Sequence, residues 1–216
     1  MSDPNPCRQC GACCKKGGPT LNLDDLDLVR QGHIRHDQLV AIRQGEMGYN
    51  PATERLEPVP VELLKIRGQG NSWTCLFFAE EDSACAIYAN RPSTCRLLQC
   101  GQPEALLATI YRNTLRRADL INPGDPILAE IERHERTCPG QVFTGLLTET
   151  AGDALSRLSE MVRADLAIRD EVAQKAGISP ELEFFLFGRP LFKQLGGSGI
   201  EWVEENGGIR LEKRKM

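Results

Sequence analysis

The chain has 216 residues, 41% hydrophobic and 26% charged, which suits an ordinary globular protein of one domain or one domain with a small appendage. A net charge of -4 argues against bulk nucleic-acid binding, and the KRK near the C-terminus is too short to overturn that. No apolar run approaches the roughly 20 residues that cross a bilayer, and MSDPNPC lacks the charged and apolar regions of a secretory signal. No membrane partner and a cytoplasmic location are therefore expected.

The first element is a cysteine run, CRQCGACC, holding Cys7, Cys10, Cys13 and Cys14 and ending in the turn signal Lys15-Lys16-Gly17-Gly18-Pro19. TLNLDDLDLVRQG then starts a helix, with Leu23, Leu26 and Leu28 periodic and Asn22 or Asp24 as cap. A second helical patch is expected over residues 36–46. Residues 48–61 carry three prolines and read as an irregular connection. VELLKIRG is a short apolar stretch whose periodicity fits strand or helix. Residues 73–92 read as a small hairpin carrying Cys75 and Cys85, followed by Cys95 and Cys100. Helices are expected over 104–120, 126–136 and 146–175, the last ended by Gly177. Ser179-Pro180-Glu181 opens a short further helix. Alternation about Asn206-Gly207-Gly208 predicts a terminal β-hairpin.

Chemistry rests on the nine cysteines. Disulfides rarely persist in a reducing cytosol, the count is odd, and CxxC steps are redox or metal motifs. Thiolates select zinc, copper(I) or iron–sulfur clusters. In Cys7-x-x-Cys10 and Cys10-x-x-Cys13 a two-residue spacer lets a turn aim both sulfurs at one centre, with Gly11 free to take positive φ. Neighbouring side chains diverge, so Cys13 and Cys14 point to two centres, as in two-cluster ferredoxins. With Cys75, Cys85, Cys95 and Cys100, eight thiolates would complete two four-sulfur sites. Cys138 reads equally as a ninth ligand or as a buried thiol at a helix end; it is counted with the ligands. Arg8, Lys15, Lys16, Arg91 and Arg96 lie near cysteines, where cations favour thiolate; a plain solvated surface explains them as well.

The other candidates read as structure. His33 and His36 fit a polar loop, and His134 fits a helix surface. Asp24-Asp25 and Glu80-Glu81-Asp82 fit a helix start and a hairpin tip. Gly196-Gly197-Ser198-Gly199 lacks the context of a phosphate or dinucleotide motif. Trp73, Phe77, Phe78 and Tyr88 read as small-core residues that would also shield a cluster from water.

CxxCGxCC over Cys7–Cys14, with Cys75-Leu-Phe-Phe and the run from Cys85 through Ile-Tyr-Ala-Asn-Arg-Pro to Cys95-Arg96 and Cys100, resembles the YkgJ-type cysteine-cluster family of zinc- or iron-chelating domains. The resemblance covers roughly residues 7–100. It implies Cys7, Cys10, Cys13, Cys14, Cys75, Cys85, Cys95 and Cys100 as ligands, and Cys138-Pro139-Gly140 is similar to a downstream element of such proteins. The expected fold is mainly α with short β-hairpins: a cysteine-rich, metal-centred N-terminal half and a helical C-terminal half. Residues 1–140 form the metal-binding domain and 141–216 a helical extension packed on it, ending in a hairpin. The expected cofactor is an iron–sulfur cluster, slightly ahead of Zn2+, serving electron transfer with a redox or other protein partner. The alternatives are a structural zinc module for protein contacts and a cluster-dependent enzyme related to flagellin lysine N-methylase, although no S-adenosylmethionine motif is visible.

Overall fold

Leu39, Val40, Ala41 and Ile42 are all buried, so this short run needs neighbours on both faces. A strand in a covered sheet supplies that. The computed structural model describes residues 7–99, 102–149, 153–205 and 208–214. It begins with α1 (Ala12–Lys16), a 3-10 turn at Leu23–Asp25, and α2 (Leu26–Arg30). Asn22 caps the turn. The strands β1 (Leu39–Ile42), β2 (Met47–Asn50), β3 (Arg55–Pro58) and β4 (Leu63–Ile66) follow. β1 pairs antiparallel with β4, with Leu39 opposite Ile66 and Ile42 opposite Leu63, and β2 pairs with β3.

The helix expected over 36–46 is thus a 3-10 turn at His36–Gln38 running into a strand. The β-branched Val40 and Ile42 pack against Val59, while Leu39 and Ala41 enter the main core. The irregular connection expected over 48–61 is largely a hairpin. Its prolines do not forbid pairing: Pro51 lies in the turn and Pro58 at the strand end, where no ladder bond is lost.

The hairpin near the distal cysteines is present as β5 (Phe78–Ala79) and β6 (Ala84–Cys85). α3 (Ser93–Leu97) carries Cys95. The helix expected over 104–120 is not continuous. Residues 104–120 form α4 (Glu104–Leu107) and α5 (Arg117–Leu120), with the chain between them turned out of helix at Tyr111 and Asn113, both at positive φ. Thr114 bridges to Asn22 and Leu115 donates to the Leu21 carbonyl at 3.2 Å, so tertiary pairing takes over backbone groups a helix would use.

α6 (Ile127–Thr137), α7 (Gly140–Thr148) and α8 (Ala154–Ala176) follow, the last ending at the left-handed Gly177. The single helix expected over 146–175 thus starts later, at Ala154, and its first residues belong to the separate α7. α9 (Pro180–Phe187) is capped by Ser179, which accepts from the Leu182 N–H. β7 (Ile200–Glu205) and β8 (Gly208–Lys213) form the expected terminal hairpin; Asn206 and Gly207 of its predicted turn lie outside the described residues.

The chain is not mainly α. Its structure is 43% helical and 19% strand, the strands forming small separate hairpins. Nor do the halves separate into a cysteine part and a helical part. One core joins Cys75, Phe77 and Phe78 to Leu64 and Ile66 of β4, Ile168 and Val172 of α8, and Phe185–Phe187 of α9. A second core lies between α7, α8 and the terminal hairpin, around Phe143, Leu158, Val162 and Leu211.

Candidate metal centre

Cys7 and Cys10 sit on the loop that enters α1. Gln9 takes positive φ, and its N–H donates to Cys7 Sγ at 3.4 Å, the kind of bond that tempers a thiolate's charge. Gly11 has φ 72°, and a Cβ there would lie 2.3 Å from the Phe78 ring. Only glycine lets the run press onto the β5–β6 hairpin this way. Lys15 reinforces the contact, pairing with Glu80 at 2.8 Å above the Phe78 ring.

α1 carries Cys13 and Cys14, and its geometry connects them directly to the distal motif: the Cys75 N–H donates to the Cys14 carbonyl at 2.8 Å. Gln69 Nε2 donates to the Cys75 carbonyl at 3.1 Å, holding the loop before β5. Cys85 is registered opposite Phe78. Cys95 is set by a buried clamp. Asp25 Oδ1 accepts from the Ser93 N–H at 2.7 Å, while Oδ2 accepts from Ser93 Oγ and from the Asn22 N–H, each at 2.9 Å. Thr94 Oγ1 adds a bond to the Thr20 carbonyl at 2.8 Å.

Cys14, Cys75 and Cys95 are each raised, and other cysteines are among the causes. Burial pushes the Cys14 thiol up to about 12, with Cys13, Cys75 and Cys85 acting in the same direction. Cys95 is raised first by burial and then by Cys75, Cys13, Cys14 and Cys85. Cys75 is raised by burial, Cys85 and Cys13, against the Phe77 N–H and Lys65. Thiols that suppress one another's ionisation give up their protons when a cation shares the charge, so this donor set fits a soft metal ion. Among the described residues no three Cys, His, Asp or Glu side chains stand in a closed metal-holding arrangement.

The remaining predicted ligands are placed differently. Cys7 is half-buried and Cys10 exposed on the entering loop. Cys100 lies outside the described residues. Cys138 caps the C-terminus of α6 in the second core, and its thiol donates to the Met161 carbonyl at 3.6 Å. Burial pushes it up to about 12, with Asp165 adding and Arg43 and Arg169 opposing; none of its charged neighbours is a cysteine.

Three residues of the basic fringe have contacts of their own. Lys15 is on Glu80, the Arg91 guanidinium lies 4.5 Å from the Tyr88 ring centre, and Arg96 donates to the Arg91 carbonyl at 2.8 Å. Lys65 of β4 is a cation that the distal cysteines act on. Burial lowers its pKa, while Cys75 and Cys95 push it up. Nothing in VELLKIRG marks this lysine, because strand pairing alone carries it under the cysteines. Phe77 and Phe78 are core residues as expected, whereas Trp73 is exposed beneath the Arg189 guanidinium, 5.7 Å from the ring centre.

The histidines supply no ligand to the cluster. His33 Nδ1 faces Asn90 Nδ2 at 3.2 Å, and His36 stacks on Phe185 with ring centres 4.6 Å apart. His134 is not on the surface but fully buried. Arg43 donates to His134 Nδ1 at 3.2 Å, which leaves Nε2–H to donate to Asp165 Oδ1 at 2.6 Å. Asp165 also accepts from Arg169 and from the Leu191 N–H, both at 2.9 Å, and Arg43 donates to Glu46 at 2.9 Å. This charged core was not legible in the sequence, since its members come from β1, the turn after it, α6 and α8.

Residues 6–118, just over half of the chain, match a family signature described as "CxxCxxCC: Putative zinc- or iron-chelating domain". No curated protein and no solved structure matches the chain. The match spans the cysteine run, the β1–β4 scaffold, the distal hairpin and the Cys95 helix, so the chain belongs to the CxxCxxCC family of zinc- or iron-chelating domains.

Proposed function

We propose that the protein carries an iron–sulfur cluster on Cys13, Cys14, Cys75, Cys85 and Cys95, with Cys7, Cys10 and Cys100 as further ligands, and uses it for electron transfer. The observation that carries this reading is that five thiols, from the N-terminal run, the distal loop with its hairpin, and α3, are linked through the charges acting on Cys14 and Cys95. Five sulfurs exceed the four that one tetrahedral ion takes. A shared cluster, or a second centre reached through the adjacent Cys13 and Cys14, accommodates the surplus. Cys10 and Cys13 are exposed, which brings the centre to the surface where a redox partner reaches it.

Zinc is the second reading. Without the exposed Cys13, the less exposed Cys14, Cys75, Cys85 and Cys95 make the four-thiolate set of a structural zinc site. Anaerobic purification with metal and sulfide analysis and a visible spectrum separates the two. Iron with acid-labile sulfide, in a protein that bleaches on reduction, is the expected result. Stoichiometric zinc in a colourless protein supports the second reading, and a protein without bound metal sinks both.

A further inference from the structure

A dication held by four thiolates carries a net charge of about -2, and an iron–sulfur centre on cysteines is likewise anionic, so a centre of either kind calls for a compensating cation. Two of the cations that neighbour the cysteines in sequence have other partners: Lys15 pairs with Glu80, and Arg96 donates to the Arg91 carbonyl. Arg189 reaches the same region in space, but it is paired with Glu46 at 3.2 Å and spread over the Trp73 ring. Lys65 differs. β4 pairs it with Val40, an isolated bridge ties its backbone to Thr20, and a Cβ on Gly17 would stand 3.3 Å from its Nζ. Its ammonium is thereby tucked under the loop that follows the cysteine run. The same Cβ would lie 3.7 Å from the Trp73 carbonyl, two residues before Cys75, and the Gly17 N–H donates to the Cys14 carbonyl at 3.2 Å. The ammonium thus sits where the cysteine run meets the distal loop; Cys75 and Cys95 favour its charge there and Arg189 opposes it. Among the described residues no carboxylate or carbonyl accepts from it. Among the described residues the negative groups that act on it are the Cys75 and Cys95 sulfurs.

We propose that Lys65 is the counter-ion of the thiolate centre, compensating the charge of the Cys75 and Cys95 sulfurs and so setting how tightly the centre holds its metal. The inference rests on the metal-chelating reading above but holds for iron and zinc alike. It makes Lys65 a positioning and charge-balancing residue rather than a ligand. The thiolates bind the metal, and the ammonium lowers the cost of gathering their charge in a half-buried site.

The test uses the full-length protein titrated anaerobically with cobalt(II), read by its thiolate charge-transfer absorption, followed by displacement with zinc. Lys65→Met, which keeps the stem and removes the charge, is expected to reach the wild-type spectrum and stoichiometry with about 10-fold weaker affinity. The deficit should change with added salt, because the lost interaction is electrostatic. Lys65→Arg is expected to bind within about 3-fold of wild type, since the charge is restored. Wild-type affinity in Lys65→Met at low salt, or failure of Lys65→Arg to restore binding, overturns the counter-ion role and leaves metal chelation standing. A wild-type protein that takes up no cobalt overturns metal chelation itself, and this role with it. Should Lys65→Met not fold, Lys65→Gln replaces it, and undiminished affinity there is equally decisive against the role.

Discussion

Asp25 shows how a single carboxylate positions a candidate ligand without touching it. The residue is fully buried, and its oxygens accept from Asn22, from the Ser93 backbone and from the Ser93 hydroxyl, anchoring the helix that carries Cys95. Hydrogen bonds to a charged group contribute about 1.5–3 kcal/mol each in favourable cases, and the partners left behind would be buried and unpaired. Asp25→Ala should therefore cost about 2–3 kcal/mol in denaturant unfolding and weaken metal retention, because Cys95 loses its anchor. Sequence shows Asp25 only as an early acid in a helix start; its partners are remote and no spacing rule joins them. The cysteines divide at the same scale. Cys95→Ser should lower the bound metal, whereas Cys138→Ala should leave it unchanged and cost about 1–2 kcal/mol through the cavity it opens. Metal analysis of the purified variants reads the first effect, and equilibrium unfolding the second. Equal metal loss in both would place Cys138 in the centre despite its separate surroundings.

At the scale of elements, the centre depends on short pieces that could not form alone. α1 and α3 span five residues each and β5–β6 only two pairs, all too short for independent stability. They are held by contacts to one another: the Cys75–Cys14 backbone bond, Gly11 against Phe78, and Lys15 on Glu80. Gly11→Ala attacks that junction twice, through a left-handed φ and through collision with the Phe78 ring. It should destabilise by about 1–3 kcal/mol and shift the cobalt titration to weaker binding. A variant with wild-type binding and stability would show that the run does not need the hairpin. The long elements were legible because their signals are local. Gly177 ends α8, Ser179 and Pro180 open α9, and alternating residues flank a glycine turn in the last hairpin. The misread elements were those where local and tertiary demands differ, above all β1 and the broken stretch between α4 and α5.

Across the whole molecule, the buried charges tie the cysteine scaffold to the later helices. His134 links Arg43, at the end of β1, to Asp165 of α8, and Arg169 extends the chain to the Phe187 and Gly188 carbonyls at 3.0 and 3.2 Å. Burial lowers the His134 pKa below its ordinary 6.5, outweighing the opposite pull of Asp165. Although burial alone would raise Asp165, the bond from His134 and the Arg169 charge hold it below its usual range. An unfolded His134 binds its proton at the ordinary value, so at intermediate pH the unfolded state takes up more protons than the folded one. The stability this residue contributes is full above about pH 6.5 and declines as pH falls from there through the lower folded value. His36, lowered mainly by burial, acts in the same direction. Melting temperature should fall between about pH 7 and about pH 5, and the slope should be shallower in His134→Gln; an unchanged slope would mean that His134 does not carry the effect. By itself, the sequence determined the metal-chelating character, the α8 and α9 helices and the terminal hairpin, because cysteine spacing, caps and turn residues act over a few positions. Only the tertiary structure decided that Leu39–Ile42 is a strand, that Cys14, Cys75 and Cys95 from three segments act on one another while Cys138 lies in another core, and that His134 is buried. Each of those outcomes depends on which distant surface covers a side chain, and a short apolar run or a lone charge carries no record of its partner.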